Sequence, residues 1–291
     1  MDKTTIVAGV DGSECGLQAV RWAAAEAARR RLPLRLVAAH TFPAGGFVGD
    51  PGLGVDPRAV LRDVVLGNLA AAATEAGDAV PGLDVEQADV EGDAAAVLAE
   101  ESHRAVLVVL GDRGLGGFTG LLLGSVAVAL SAHAACPVVV VRGDETDPAV
   151  PRREPVVVGV DGSPGGDAAV EFAAGAAVQR GVPLVVVHAL RDVSADAAAA
   201  PLVDWDAVES AERQALGDRT AGVRAAHPDL VLRERVVRDR PARALVDESR
   251  GAQLVVVGSR GRGGLRGLLL GSVSQQLLHH AHCPVAVVRS R

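Results

Sequence analysis

The sequence predicts two tandem α/β domains, each built on a five-stranded, doubly wound parallel sheet with helices on both faces. Three observations support this prediction: the chain repeats itself, apolar runs alternate with helical patterns in each copy, and Val, Leu and Ala dominate a composition that is 49% hydrophobic and 2% aromatic. Strand–helix alternation is the signature of such sheets, and their buried strands are rich in aliphatic residues. The length of 291 residues suits two domains of ordinary size.

The repeat consists of several matching blocks in the same order. A Gly-Val-Asp-Gly-Ser block ends at Ser13 and again at Ser163, an offset of 150 residues. A Leu-Leu-Leu-Gly-Ser-Val block ends at Val126 and again at Val273, an offset of 147 residues. Because the offset falls by three between the blocks, we expect the middle loop of the second copy to be three residues shorter.

The stretch between the copies has the composition of a linker. Residues 143–155 hold three prolines and six charged residues and show no apolar period. Prolines make such a segment fairly extended. We therefore predict a first domain over residues 1–142, a linker over 143–154 and a second domain over 155–291.

Within each copy, apolar runs of strand length alternate with helical patterns. In the first copy we predict strands at 4–10, 34–39, 84–90, 105–110 and 137–141, and helices at 16–31, 58–76, 93–102 and 125–133. In the second copy we predict strands at 155–160, 184–189, 231–237, 252–257 and 284–288, and helices at 165–180, 204–226, 241–250 and 272–280. Sheets of this type bind ligands beyond the carboxyl ends of their strands. The loops after the first and fourth strands are therefore the candidate sites.

A glycine-rich loop follows the fourth strand of each copy and ends where a helix begins. In the first copy it runs from Gly111 through Gly114 to Gly124 and Ser125, with nine residues between the second and third glycines. The second copy repeats this spacing at Gly258, Gly261, Gly271 and Ser272. We call residues 111–125 and 258–272 the glycine loops.

The glycine loops have the features of a phosphate site. Glycines permit positive φ angles and a close approach of backbone to ligand, and consecutive N–H groups form an anion-binding nest. The start of the following helix adds free N–H donors and a positive dipole end. Ser125 and Ser272 also suit a purely structural role as helix N-caps.

An aspartate ends the first strand of each copy. Asp11 and Asp161 stand at the carboxyl ends of their strands, beside the expected position of the glycine loops. A carboxylate there is able to accept hydrogen bonds from the hydroxyl groups of a ribose. The structural alternative is an ordinary turn or N-cap residue.

Several other classes of site fail on the residues present. A Walker-type loop needs a lysine after its last glycine, yet Lys3 is the only lysine of the chain. The net charge of −7 argues against a general nucleic-acid binder. No segment reaches the roughly 18 apolar residues of a membrane span, and no secretion signal is visible. We therefore expect a cytoplasmic protein that binds neither nucleic acid nor membrane.

The cysteines and histidines predict no metal or catalytic site. The three cysteines are Cys15, Cys136 and Cys283. Their odd number excludes a disulfide framework, and reduced thiols are expected. His279, His280 and His282 lie close to Cys283, so a Cys/His metal site there is a minor alternative.

The glycine spacing, the strand-ending aspartate and the closing Cys-Pro-Val strand of both copies together resemble the universal stress protein family. The resemblance covers residues 3–142 and 155–290, and the two-copy arrangement resembles the tandem form common in actinobacteria. It implies a strand order 3-2-1-4-5 in each domain, and ATP binding by those members that retain this loop.

The resemblance also implies roles for individual residues. Ribose would be contacted by Asp11, Asp161, Gly111 and Gly258. Adenine would be read by backbone groups after the second strand, at Ala39 and Ala189. Phosphates would be contacted, largely through backbone N–H groups, by Gly114, Gly124, Ser125, Val126, Gly261, Gly271, Ser272 and Val273. Mg²⁺ could accompany the phosphates, although no dedicated ligand cluster is visible.

Two classes of function follow. The first is a binding module, in which ATP sets the conformation or assembly of a stress-response regulator with an unidentified protein partner. The alternative is a slow ATPase or self-phosphorylating enzyme, and another adenine nucleotide such as cyclic AMP is a further candidate ligand. Nothing in the sequence resembles a nucleophile–base pair.

Two further expectations concern assembly and the balance between the sites. Exposed apolar edge strands invite pairing, so the last strands, 138–141 and 285–288, are expected to pair the two copies, and whole chains are expected to form homodimers. The second site is expected to bind ATP more tightly, because its glycine loop carries Arg260, Arg262 and Arg266 where the first carries only Arg113 and adds Asp112.

Overall fold

The computed structural model describes residues 4–42, 56–114, 123–142, 153–190, 204–262 and 270–290. The chain folds into two compact units, one containing the described residues up to Val141 and the other those from Arg153 onward. We refer to them as the first and second domains. Both are α/β, as the sequence predicts.

The first domain alternates strands and helices. Its strands are β1 (Thr5–Gly9), β2 (Leu34–His40), β3 (Val85–Glu91), β4 (Ala105–Gly111) and β5 (Val138–Val141). Its helices are α1 (Glu14–Arg30), α2 (Pro57–Ala79), α3 (Ala94–Glu101) and α4 (Ser125–His133).

The second domain repeats this order. Its strands are β6 (Val156–Val160), β7 (Leu184–Leu190), β8 (Leu232–Arg238), β9 (Leu254–Gly258) and β10 (Val285–Val288). Its helices are α5 (Pro164–Arg180), α6 (Trp205–Ala226), α7 (Pro241–Glu248) and α8 (Ser272–His280), and a short 3₁₀ turn, Ser249–Gly251, follows α7.

The strand order within each domain confirms the 3-2-1-4-5 topology. In the first domain it is β3-β2-β1-β4-β5, and in the second β8-β7-β6-β9-β10. The strand pairs within each domain run parallel, with Ile6 of β1 opposite both Leu34 of β2 and Leu107 of β4. The central first strand therefore places its carboxyl end beside that of the fourth strand, which is the switch point where the order of strands reverses.

Helices cover the buried strands of each sheet. Ile6, Val7 and Ala8 of β1 are inaccessible to solvent, because side chains on both faces of the strand are covered. The helix α1 packs against β1 and β4 through a row of small residues that includes Ala19, Ala23 and Ala27, all fully buried. Small side chains let this helix lie close to the sheet.

Serine side chains cap the first helix of each domain. Ser13 and Ser163 are the N-caps of α1 and α5, each accepting a hydrogen bond from a backbone N–H in the first turn. The helix α1 therefore begins at Glu14, two residues before the predicted start. The C-caps of the two helices differ: Arg31 ends α1 and Gly181 ends α5, both in the left-handed conformation with φ of 55° and 64°.

We predict opposite effects from exchanging these two C-cap residues. A side chain disfavours the left-handed region, whereas glycine adopts it freely. Arg31→Gly should raise the free energy of unfolding of the first domain, and Gly181→Arg should lower that of the second, each by about 0.5–1 kcal/mol. Denaturant titration of the two variants measures both changes. A change of the same sign in the free energy of unfolding of both variants would contradict the assignment of Arg31 and Gly181 as left-handed C-caps.

Candidate functional site

Each domain contains a cleft at the carboxyl ends of its strands, lined by the residues that the sequence singles out. The volume of the cleft is about 530 Å³ in the first domain and about 640 Å³ in the second, which is within the range of small-molecule sites. The first is lined by Asp11, Ala39, Gly111, Gly114, Gly124, Ser125 and Val126. The second is lined by Asp161, Ala189, Gly258, Gly261, Gly271, Ser272 and Val273. Residues predicted from four separate segments of each copy thus surround one space.

The cap of α1 holds the carboxylate of Asp11. Its Oδ1 accepts hydrogen bonds from the backbone N–H of Ser13 at 3.0 Å and from the Ser13 hydroxyl at 2.6 Å. The Ser13 hydroxyl oxygen also accepts from the N–H of Gly16 at 3.0 Å. A Cβ on Gly16 would lie 2.7 Å from Asp11 Oδ1. The helix start and the aspartate therefore form one hydrogen-bonded unit at the end of β1.

In the second domain the structure describes a bond from the glycine loop to the aspartate. Asp161 Oδ1 accepts from the N–H of Ser163 at 3.0 Å, and Asp161 Oδ2 accepts from the N–H of Arg262 at 2.6 Å. Burial raises the pKa of Asp161, but the hydrogen bonds from Ser163 and Arg262 and the nearby Arg262 charge outweigh it, so the pKa lies below its usual value. Asp161 is therefore ionised at neutral pH and able to accept further hydrogen bonds.

Close approach to the aspartate explains the second glycine of each loop. A Cβ on Gly114 would overlap Asp11 Oδ2, and one on Gly261 would overlap Asp161 Oδ2. Neither Gly114 nor Gly261 has a positive φ, so of the two expected reasons for a glycine it is close approach that applies at these two positions. Positive φ angles occur nearby at Gly12 and Gly162, at 84° and 77°. The missing side chain matters because the carboxylate occupies its place.

The first glycine of each loop allows the fourth strand to meet a helix start. A Cβ on Gly111 would lie 2.6 Å from the carbonyl oxygen of Cys15 in α1. In the second domain a Cβ on Gly258 would lie 3.0 Å from the backbone of Gly165 in α5. Contact with ribose stays a prediction for both glycines, and packing against the helix is a sufficient structural reason for them.

The glycine loops close at the start of α4 and α8. The N–H of Gly124 donates to the carbonyl of Asp112, and that of Gly271 to the carbonyl of Ser259, both at 2.8 Å. This bond brings each helix start back to the end of the fourth strand.

The serines after these glycines are not N-caps. Gly124 and Gly271 occupy the cap positions, and neither helix has a side-chain hydrogen bond at its cap. The capping interpretation of Ser125 and Ser272 is therefore wrong. The N–H groups of the first helical turn have no carbonyl within the helix to bond. Ser125 and Val126 line the cleft, so this helix start lies where an anion would be stabilised.

Asp112 does not lie in the first cleft. Its side chain is buried, with 7% of the residue exposed, and its Oδ1 lies 3.6 Å from Arg113 Nε. It also faces Cys15: burial raises the pKa of the Cys15 thiol, and the neighbouring Asp112 raises it further. The Asp112 carboxylate therefore adds no negative charge to the lining of the cleft.

The ends of β2 and β7 form one wall of each cleft, at Ala39 and Ala189. In the second domain His188 also lines the cleft. Its Nδ1 lies 2.9 Å from the carbonyl oxygen of Val160, and its Nε2 lies 3.4 Å from Glu212 Oε2. His188 thereby connects the last residue of β6 to α6, which is the structural role that a lone histidine most often has.

Two properties of the described residues concern metals and membranes. In the six ranges given above, no group of three His, Cys, Asp or Glu side chains is arranged to hold a metal ion. None of the described helices combines the length and apolar composition that a membrane crossing requires.

Sequence reasoning missed some residues of the site. Gly16 and Gly166 line the clefts beside the aspartates. The signal that could have found them is a glycine kept at the same position of both copies. Asn68 and Arg219, which flank Gly12 and Gly162, were also missed, because they come from α2 and α6, whose sequences differ between the copies.

Comparison with known proteins identifies both copies. The profile of the universal stress protein family matches residues 3–142 and 152–289. A universal stress protein of Mycobacterium tuberculosis is 40% identical over 294 residues, covering 98% of this chain and 96% of the relative.

Solved structures agree with this fold. A universal stress protein from Archaeoglobus fulgidus superimposes with a TM-score of 0.71 at 19% identity, covering 99% of this chain and 97% of that one. A universal stress protein in complex with cAMP and one from Archaeoglobus fulgidus in complex with dAMP match 48% and 46% of this chain, and 97% of each of theirs, at 28% and 26% identity and TM-scores of 0.38 and 0.35. Those two proteins thus bind adenine nucleotides.

We predict that a methyl group on the second loop glycine disables a cleft without unfolding its domain. Gly114→Ala and Gly261→Ala place the new Cβ against the aspartate oxygen and force the carboxylate or the loop to shift. The affinity of the altered cleft for adenine nucleotides should fall about tenfold or more, while its free energy of unfolding changes by less than about 1 kcal/mol, since the methyl meets a movable side chain in an open cleft.

The chain offers matched controls for these variants. Gly77 on α2 and Gly222 on α6 have no atom within 4 Å of a Cβ position, so Gly77→Ala and Gly222→Ala add the same methyl group without a clash. Calorimetric titration measures the affinity of each variant, and denaturant unfolding measures its free energy of unfolding. The affinity should be unchanged in both controls. Unchanged affinity in the double variant Gly114→Ala, Gly261→Ala would show that the loop glycines are purely structural.

Proposed function

This chain belongs to the universal stress protein family, and we propose that it binds one ATP in each of its two clefts and acts as a nucleotide-liganded regulatory module of the stress response. The observation that carries the proposal is the same pairing of groups in both domains. A strand-ending carboxylate lies against a loop glycine, and the open start of a helix lies in the wall of the same cleft.

The two ends of this arrangement suit the two ends of a nucleotide. The carboxylate of Asp11 or Asp161 accepts hydrogen bonds from ribose hydroxyls. The N–H donors of Ser125 and Val126, and their counterparts in the second domain, bind phosphate oxygens at a helix start. Backbone groups at Ala39 and Ala189 read the adenine.

The shape of the site supports ATP as the ligand. A volume of about 530 Å³ or 640 Å³ is sufficient for a nucleoside triphosphate. The glycines leave room that side chains would fill. Mg²⁺ would be carried by the phosphates, since the linings supply only one carboxylate each, Asp11 and Asp161, among the described residues.

A regulatory output fits these linings better than rapid hydrolysis. A catalyst needs a general base within reach of the attacking water. The carboxylates at the strand ends are assigned to the ribose, away from the terminal phosphate. We propose that ATP binding stabilises one conformation of the chain, which forms a homodimer in the cytoplasm and contacts a protein partner.

We predict two bound nucleotides per chain. The twin clefts should give a stoichiometry near two when the nucleotide-free protein is titrated with ATP in a calorimeter, and mass spectrometry of the gently purified protein should detect the same number. No binding of ATP, ADP or cyclic AMP would contradict the proposed function. Cyclic AMP binding without ATP binding would change the ligand, and steady release of phosphate from ATP would favour the enzymatic alternative.

We also predict that the second cleft binds ATP more tightly. Among the described residues, the charged linings are Asp11 and Arg113 in the first cleft and Asp161, Arg260 and Arg262 in the second. One additional positive charge within about 6–8 Å of a phosphate is worth roughly 1–2 kcal/mol before salt screening. The surviving site of Gly114→Ala should therefore bind ATP about tenfold more tightly than that of Gly261→Ala at low salt.

The difference in ATP affinity between the two clefts should narrow at moderate salt, because screening weakens the attraction between the arginines and the phosphates. Asp112→Ser should leave this difference in affinity unchanged, since the Asp112 carboxylate lies outside the cleft. Equal affinities at low salt would show that the lining charges do not rank the sites.

A further inference from the structure

Two guanidinium groups converge on the turn that follows Asp161. The Nη2 of Arg219, on α6, donates to the carbonyl of Gly162 at 3.0 Å, and the Nη2 of Arg262, on the glycine loop, lies 3.5 Å from the same oxygen. A Cβ on Gly162 would collide with both groups. Two positive charges therefore approach one neutral carbonyl beside the carboxylate assigned to the ribose.

One of these charges has no carboxylate oxygen within 4 Å among the described residues. The Nη1 of Arg219 pairs with Asp167 Oδ1 at 2.9 Å. For Arg262 the structure shows no carboxylate oxygen within 4 Å of the guanidinium among the residues it describes; its bond to Asp161 is made by the backbone N–H. Arg262 lines the second cleft, whereas Arg219 lies outside its lining and meets Arg262 at the carbonyl of Gly162. Like charges held close together repel one another, and an anion bound to both removes this repulsion.

The turn of the first domain has a neutral neighbour in place of Arg219. The turn residue Gly12 is flanked by Asn68, whose Nδ2 lies 3.4 Å from the carbonyl oxygen of Asp11. By the offset of 147 residues, the position of Arg262 corresponds to Leu115, which lies outside the described residues. The two copies thus have the same aspartate and the same turn, with different residues beside them.

We propose that the second cleft is a site for adenine nucleotides that carry an additional phosphate on the 2′ or 3′ oxygen of the ribose, with Arg262 and Arg219 as the groups that bind this phosphate. The inference rests on the proposed function, because the ribose is placed by Asp161. A phosphate on one ribose oxygen leaves the other hydroxyl free to donate to Asp161. Arginine suits this task because its planar donors match two phosphate oxygens at once.

The test compares ligands that differ only in the ribose phosphate. Adenosine 5′-monophosphate, adenosine 3′,5′-bisphosphate and adenosine 2′,5′-bisphosphate displace a fluorescent ATP analogue from the full chain carrying Gly114→Ala, so that the second cleft is read alone. We expect one of the bisphosphates to bind about tenfold more tightly than the monophosphate. The chain carrying Gly261→Ala, which leaves only the first cleft, should show no such preference.

Variants of the arginines test which side chain causes the preference for a bisphosphate. Arg262→Leu supplies the residue that the first copy has and should reduce the ratio of bisphosphate to monophosphate affinity to near one; Arg219→Gln should reduce it in part. Arg243→Leu is the control, because it removes the same charge from α7. Arg243 lies 3.7 and 4.0 Å from Asp239 and Asp247 and does not line the cleft. This variant should keep the ratio of bisphosphate to monophosphate affinity.

Each result decides between the proposals. A ratio that is near one in the unaltered second cleft, or that survives Arg262→Leu, overturns the ribose-phosphate site while leaving the ATP site in place. Failure of ATP and of all three adenosine phosphates to bind overturns the proposed function together with the inference.

Discussion

The contact between a strand-ending carboxylate and a loop glycine organises each cleft. Asp11 and Asp161 end the central strands, and each lies where a side chain of the glycine loop would otherwise stand. The contact depends on the parallel register, which places the carboxyl ends of the first and fourth strands side by side. It also depends on the serine caps, since Ser13 and Ser163 hold the carboxylates that the loops approach.

The two polar ends of the cleft have opposite electrostatic character, one from a carboxylate side chain and the other from the backbone of a helix start. A carboxylate at the first strand favours hydrogen-bond donors such as sugar hydroxyls. The open helix start after Gly124 or Gly271 favours an anion, because its N–H groups and its dipole both point outward. Glycine and alanine residues make up part of the remaining lining. A ligand that carries hydroxyls near one end and phosphates at the other is complementary to this sequence of environments.

The two domains share the same backbone arrangement around the cleft, but the charges beside it differ. The hydrogen bond that closes the glycine loop has the same length in both domains, at 2.8 Å. The side chains that flank the turn after the aspartate differ, with Asn68 in the first domain and Arg219 with Arg262 in the second. The shared arrangement consists of backbone hydrogen bonds and glycines, so it tolerates different side chains beside the turn. This difference in flanking side chains is the basis on which we propose different ligand preferences for the two clefts.

The sequence by itself determined the fold class and the repeat, because these depend on apolar periodicity and on matching blocks that a linear pattern records. It also predicted fourteen of the residues that line the clefts, the glycines and aspartates from their spacing and the others through the family resemblance. It did not reveal why the residues are needed. The conformation of Gly114, the cap position of Gly124 and the burial of Asp112 depend on which atoms of distant segments meet. The same is true of Arg219, which reaches Gly162 across 57 residues. Such contacts arise from the packing of α6 and the glycine loop against the strand ends, and only the tertiary structure decided them.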